Sequence, residues 1–319
     1  MKTTRLLSRL AAAAVMVAAS ASGAYPEKTI RIVVPFPAGG ASDAAARAVG
    51  QGLAKSLAQP VVVENRPGAN GAIAAQAVHA SPPDGYTLLW TPASMVSLPS
   101  LMKKPPFSTL SEFAPVAGVG ELPFCLYVNA QVPARTAAEL AAYARANPSK
   151  VTYGSGSISE QLAGEQFARS SGARLEQVPY KGGAQLMPDL VSGLLQMNIG
   201  PASTGLPHVQ SGRVRALAVL TSQRSSLLPG VPTAAEAGMP GLSVPTWQAI
   251  VAPPKTPRAI ADRLSKSVND ALRDPETGAR LEKIGLLRTG TTPDELDAII
   301  RRDGALWSTF VRDTGIQLD

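Results

Sequence analysis

Short apolar runs alternate along the chain with longer segments in which apolar residues recur every three or four positions. Ile30 to Val34 is a strand-like run, and it stops at Pro35-Phe36-Pro37-Ala38-Gly39-Gly40. Beyond this stop Ala45, Val49, Leu53 and Leu57 stand four apart, the spacing of one helix face. Val61 to Val63 reads as a second strand and Ile73 to His79 as a second helix. The turn Pro83-Asp84-Gly85 then leads into a third strand, Tyr86 to Trp90, which ends in Thr91-Pro92-Ala93-Ser94. A βαβαβ order predicts parallel strands joined by right-handed crossovers.

The order recurs in the second half. Val151 to Tyr153, Leu175 to Val178 and Leu194 to Ile199 read as strands, with helices from about Ser159 to Ser170 and from Ala184 to Val191 between them. Val214 to Leu220 is a further strand. The tail carries helices from Pro257 to Leu272 and from Pro293 to Arg312, the latter opened by Thr292 as cap with Glu295 at N3. Two similar units predict two lobes. If Glu121 to Val128 and Val244 to Val251 are the chain crossings, lobe one comprises residues 25–125 plus 246–319, and lobe two is a continuous insertion of residues 126–245.

With 319 residues, 45% of them hydrophobic, and a single cysteine, the chain is a globular protein and not a disordered, collagenous or disulfide-stapled one. Residues 1–24 hold Lys2, Arg5 and Arg9, then the apolar run Leu10 to Ala19, then Ser22-Gly23-Ala24. That is the layout of a secretory signal peptide cleaved after Ala24, with Ala21 as the alternative. The run is too short to anchor the chain across a bilayer. Removing those three basic residues lowers the net charge from +7 to +4. So mild and scattered a charge leaves no footprint for nucleic acid. Cys125 is far from the cleavage point and offers no lipid attachment there, so a free periplasmic chain is expected.

Ligands of open α/β sheets bind at the carboxyl ends of strands, where free backbone N–H groups and the helix dipole favour anions. Five loops fit: 35–43, 91–94, 154–159, 179–183 and 200–204. They contribute Ser94, Lys181 and Ser203 as candidates, with Asp43 as either a ligand contact or a helix-terminal carboxylate. The phosphate-loop signature, a full dinucleotide fingerprint, H-E-x-x-H and G-x-S-x-G do not occur. His79 and His208 are expected on helix surfaces and Cys125 in the core, while Trp247 could wall the cleft. No metal, cofactor or catalytic residue is expected.

The motifs Pro35-Phe36-Pro37-Ala38-Gly39-Gly40 with Asp43, Val63-Glu64-Asn65-Arg66-Pro67-Gly68-Ala69, Pro83-Asp84-Gly85-Tyr86-Thr87-Leu88, Val178-Pro179-Tyr180-Lys181-Gly182-Gly183 and Val231-Pro232-Thr233 closely resemble the Bug-type substrate-binding proteins of tripartite tricarboxylate transporters. The resemblance covers essentially the whole chain after residue 24. It implies an α/β, two-lobed, periplasmic-binding-protein-like (type II) fold, with two mixed sheets flanked by helices and a two-strand hinge. It also implies a clamp on a small carboxylate, built from Phe36, Ala38, Gly39, Gly40 and Asp43 in lobe one and from Ser155, Gly156, Ser157 and Ser159 in lobe two. Gln161 and Gly200 depart from the family, which often has His and an acidic residue there.

The expected function is that of a monomeric, non-catalytic receptor for a small organic carboxylate that delivers it to transporter subunits or to a sensor kinase. An enzyme on the same fold, or a structural scaffold, is the rival. With Gly200 in place of an acid, the pocket is expected to favour a carboxylate without an amino group, either a di- or tricarboxylate or an aromatic acid. Gly39 and Gly156 are expected to let the ligand approach the backbone closely.

Overall fold

A computed structural model describes residues 25–315 apart from residue 149. The signal peptide expected at residues 1–24 lies outside the described residues. Eleven strands form two sheets among the described residues. The first comprises β1 (Ile30–Val34), β2 (Val61–Asn65), β3 (Thr87–Pro92), β4 (Ala114–Glu121), β10 (Trp247–Ala252) and β11 (Leu287–Arg288), in the order β11-β4-β10-β3-β1-β2. The second comprises β5 (Phe124–Asn129), β6 (Thr152–Ser155), β7 (Glu176–Pro179), β8 (Met197–Pro201) and β9 (Val214–Val219), in the order β7-β6-β8-β5-β9.

The two sheets share one plan. In each, a parallel triplet (β2-β1-β3 and β7-β6-β8) comes from a βαβαβ unit, as the periodicity predicts. Each triplet is extended by an antiparallel strand that follows directly from a chain crossing: β10 beside β3, and β5 beside β8. Both sheets are therefore mixed. In the first sheet one face buries Ile30, Ile32, Val34, Leu88 and Trp90; in the second, β5 is buried on both faces, Leu126 and Val128 on one and Cys125 and Tyr127 on the other.

The crossing read as Glu121 to Val128 is much shorter, because most of that segment belongs to strands. β4 ends at Glu121 and β5 begins at Phe124, so only Leu122 and Pro123 pass between the sheets. Cys125 pairs with Gly200 and Val219 in the second sheet, which places the crossing two to three residues before a boundary at residue 125. Pro123, which has no N–H to give a ladder, marks the break. The return crossing runs beside it, and the Leu122 N–H donates to the Thr246 carbonyl at 3.1 Å.

Helices lie as the periodicity predicts, at Ala41–Leu57, Ile158–Ser171, Gly183–Ser192, Arg258–Arg273 and Pro293–Thr314. The last packs back on β4 and on the 93–97 turn, with Leu296, Ile300, Trp307 and Val311 buried, so the tail closes over the first lobe. The strand read as Leu194 to Ile199 starts later, at Met197. Leu194 is 71% exposed in the preceding turn.

Candidate ligand-binding site

The carboxyl ends of both parallel triplets face each other across a cavity of about 120 Å³. On that measure one water needs roughly 10–15 Å³, so the space holds a molecule of roughly ten non-hydrogen atoms. Lobe one supplies Phe36 to Ala38, Gly40 to Ser42, the segment Pro92 to Ser94, and Thr246 with Gln248. Lobe two supplies Gly156 to Glu160, the turn Gly182 to Gln185, Pro201 and Thr204. The lobes nearly touch at one rim, where a Cβ on Gly182 would lie 3.1 Å from Cδ of Pro37.

Three helices begin at this cavity without a side-chain cap. Ala41–Leu57 starts after Gly40, Gly183–Ser192 after Gly182 and Ala202–Gln210 after Pro201, none of which has a side chain able to accept from the first turn. Elsewhere Thr136, Asp274 and Thr292 cap their helices in the usual way, although Gly71 and Pro257 do not. Uncapped first-turn N–H groups need a partner and carry the positive end of the macrodipole. Three such helix starts border one small chamber, although that of the Ala202–Gln210 helix is partly satisfied, its Ala202 N–H donating to the Pro123 carbonyl at 2.8 Å.

The fourth helix at the site, Ile158–Ser171, is capped. Ser157 Oγ accepts from the Glu160 N–H at 3.2 Å. Ser157→Ala is expected to cost about 1 kcal/mol of stability. Chemical denaturation would show this as a lower midpoint at unchanged slope.

Of the residues singled out from the sequence, Phe36, Ala38, Gly40, Ser94, Gly156, Ser157 and Ser159 line the cavity. Gly39 and Ser203 instead lie in the outer mouth of the cleft, with Met187 and His208. Ser203 Oγ is buried there without a partner. Ser155 stands behind the wall, its Oγ accepting from Gln177 Nε2 at 2.7 Å. Lys181 is exposed and does not reach the cavity. Trp247 also points away, its Nε1 donating to Asp303 Oδ2 at 2.7 Å, and the next residue, Gln248, faces in.

Asp43 lies behind the wall, where it holds the first turn together. It is 4% exposed and accepts from the Gly39 N–H at 3.0 Å, Arg47 Nε at 3.0 Å and Asn65 Nδ2 at 2.8 Å. Burial pushes its pKa up, but these bonds outweigh burial and hold it below the usual carboxylate range. Asn65 also donates to the Phe36 carbonyl at 3.0 Å. The Asn65-Arg66-Pro67-Gly68 motif thus helps fix the shape of the Phe36–Gly40 turn.

Among the lining residues that had no place among the sequence candidates, three shape the chamber most. Gln248 is pinned by Trp90 Nε1 at 2.9 Å and Ser42 Oγ at 3.1 Å, both donating to its Oε1. Phe124 forms part of the apolar wall with Phe36. Glu160 is the third, 3% exposed, with Oε2 accepting from the Gly156 N–H at 2.6 Å. Burial pushes its pKa up to about 7, against the opposing bonds from Gly156 and Asn198. A Cβ on Gly200 would lie 3.4 Å from Glu160 Oε1. An acid therefore stands beside the very position that lacks one in sequence.

Two α/β lobes joined by two short crossings, closing on a small chamber between them, define a two-lobed binding protein of the periplasmic type. Residues 45–316 match the model of the tripartite tricarboxylate transporter family receptor. The protein BugT of Bordetella pertussis is 36% identical over 100% of both chains. Among solved structures, the periplasmic binding protein BugD is 32% identical with a TM-score of 0.85, covering 92% of this chain and 99% of that one. An R. palustris protein with adipate is 31% identical with a TM-score of 0.86, again covering 92% and 99%. The chain belongs to the tripartite tricarboxylate transporter receptor family.

Proposed function

We propose that this receptor binds a small organic carboxylate in the interlobe cavity, outside the inner membrane, and delivers it to the transporter as a monomer without altering it. The convergence of three uncapped helix N-termini on one chamber carries this reading, because backbone N–H groups bind a carboxylate with no cationic side chain. Gly40, Ser94, Ser157 and Ser159, with Gly183, Ala184 and Thr204, are the contacts this assigns. The adipate bound by the R. palustris relative supports a dicarboxylate. Residues 1–24 serve as the export signal. Among the described residues no helix is long and apolar enough to cross a membrane. Among the lining side chains Glu160 alone titrates, which gives no acid–base pair for turnover.

Binding proceeds by closure about Leu122–Pro123 and Val244–Thr246, because contacts made by both lobes exist only when the cleft is shut. In a thermal-shift series with adipate, succinate, citrate, benzoate and aspartate, a ligand at 100 times its dissociation constant is expected to add about 2.7 kcal/mol. Small-angle scattering of the same sample should show contraction. Absence of a shift with every carboxylate, or mass-spectrometric evidence that the bound acid is converted, would sink the receptor reading.

A further inference from the structure

Glu160 is the one buried acid in the chamber, and carboxylate binding by backbone alone has no use for it. Its Oε2 is taken by Gly156, and the Asn198 amide, fixed by donating to the Gly154 carbonyl at 2.9 Å, stands beside it. Oε1 lies between Gly183 and Gly200, where a Cβ on either would approach to 2.9 and 3.4 Å, and Gly183 lines the cavity together with Glu160. No Lys, Arg or His side chain pairs with it among the described residues. The helix that carries Glu160 packs on β6, on β8, on the 93–97 turn and on the helix Ala137–Ala146. Tyr153 of β6 donates to Glu165, one turn and more along the same helix. Neither β8 nor the 93–97 turn has a titratable side chain. Arg145 of the helix Ala137–Ala146 donates to the Ser171 carbonyl, at the far end of the Glu160 helix from the cavity, and Glu139 accepts from the Arg135 N–H. On the adjoining turn Lys181 is exposed and Tyr180 donates to Asp189. Across the cleft, Arg47 is paired with Asp43, and His208 lies in the outer mouth.

We propose that Glu160 is a specificity-determining residue that binds in its protonated form, donating from Oε1 to a ligand carboxylate, so that the receptor takes up a proton with a dicarboxylate. This rests on the carboxylate-receptor reading above. An anion seated at the neighbouring helix N-termini raises the affinity of Glu160 for its proton, as when two carboxyl groups share one site. The match is one donor to one acceptor. An ammonium would bring three donors to a carboxyl that already accepts from Gly156, beside helix N-termini that offer N–H groups and no acceptor, so the remaining donors would go unpaired. The proton comes from solvent, and no bond other than O–H is made.

Calorimetry with adipate tests this at pH 6.5 and pH 8, both above the range in which adipate itself titrates. With burial pushing the Glu160 pKa up to about 7 in the free receptor, affinity is expected to fall about eightfold across that interval. In buffers of differing ionisation heat, the wild-type enthalpy should report net proton uptake at pH 8, a readout that needs no variant. Glu160→Gln should lose both the uptake and the slope and bind adipate more tightly than wild type at pH 8. A flat wild-type profile, or a slope that survives in Glu160→Gln, overturns the proposal while leaving the receptor reading intact. Tight binding of aspartate with proton release, lost in Glu160→Gln, assigns the residue to an ammonium and also overturns it. Failure of adipate, succinate and citrate to bind at either pH overturns the receptor reading, and this proposal with it.

Discussion

Gly156→Ala is expected to lower stability by about 2 kcal/mol and to weaken carboxylate binding at least tenfold. A Cβ at Gly156 would stand 2.2 Å from the carbonyl carbon of Gly182, 2.4 Å from the Gly183 nitrogen and 2.6 Å from the Gly182 Cα. All three are backbone atoms, so no side chain can swing aside. The turn Gly182–Gly183 must retreat, and with it goes the uncapped start of the helix Gly183–Ser192. This revises the expectation that Gly156 makes room for the ligand, because the space its missing side chain leaves is filled by the second turn of the same lobe. Gly39 differs: a Cβ there meets nothing within 4 Å, and its constraint is a φ of +87°. Gly304→Ala, in the tail helix with open space around it, is the matched control and should be neutral or slightly stabilising. Urea denaturation and adipate calorimetry on both variants check this. Unchanged binding by Gly156→Ala would show that the two turns do not need to interlock.

The parallel triplets were legible because their inner strands β1, β3 and β8 are buried on both faces and read as apolar runs, and because the edge strands β2 and β7 are bounded by turn motifs. The antiparallel strands were harder. β4 and β5 sit in different sheets but are separated by only two residues, and composition alone cannot say that the chain changes lobe at Leu122–Pro123. β11 is two residues long and pairs only with β4, too short to carry a periodic signal.

The site divides along a similar line. Loops ending the parallel strands could be located from sequence, and seven of their candidates line the chamber. Side-chain direction within those loops could not. Lys181 precedes the turn that reaches the cavity, and Trp247 precedes the Gln248 that does, so a single residue of register separates outward from inward. Glu160 was hidden by a different cause. It stands at N3 of a capped helix, where a carboxylate ordinarily has a structural part, and only folding brings it to the place opened by Gly200.

The same carboxyl governs the unliganded protein. A carboxyl group whose folded-state pKa lies above its unfolded value favours the fold only while protonated. For Glu160 that contribution is fully present below the ordinary glutamate value of 4.5 and is lost as the pH rises through about 7. Folding binds the proton more tightly than the unfolded chain does, so this residue makes stability fall with rising pH, the reverse of Asp43. At pH 8 the cost of keeping an ionised Glu160 buried without a cation is on the order of 3 kcal/mol. Glu160→Gln keeps the size and the acceptor for the Gly156 N–H but removes the charge. The variant is therefore expected to match wild type near pH 5 and to exceed it by roughly that amount at pH 8, in denaturation measured without ligand. Parallel pH profiles for the two proteins would mean that Glu160 is ionised in the empty chamber at neutral pH, stabilised by the surrounding N–H groups.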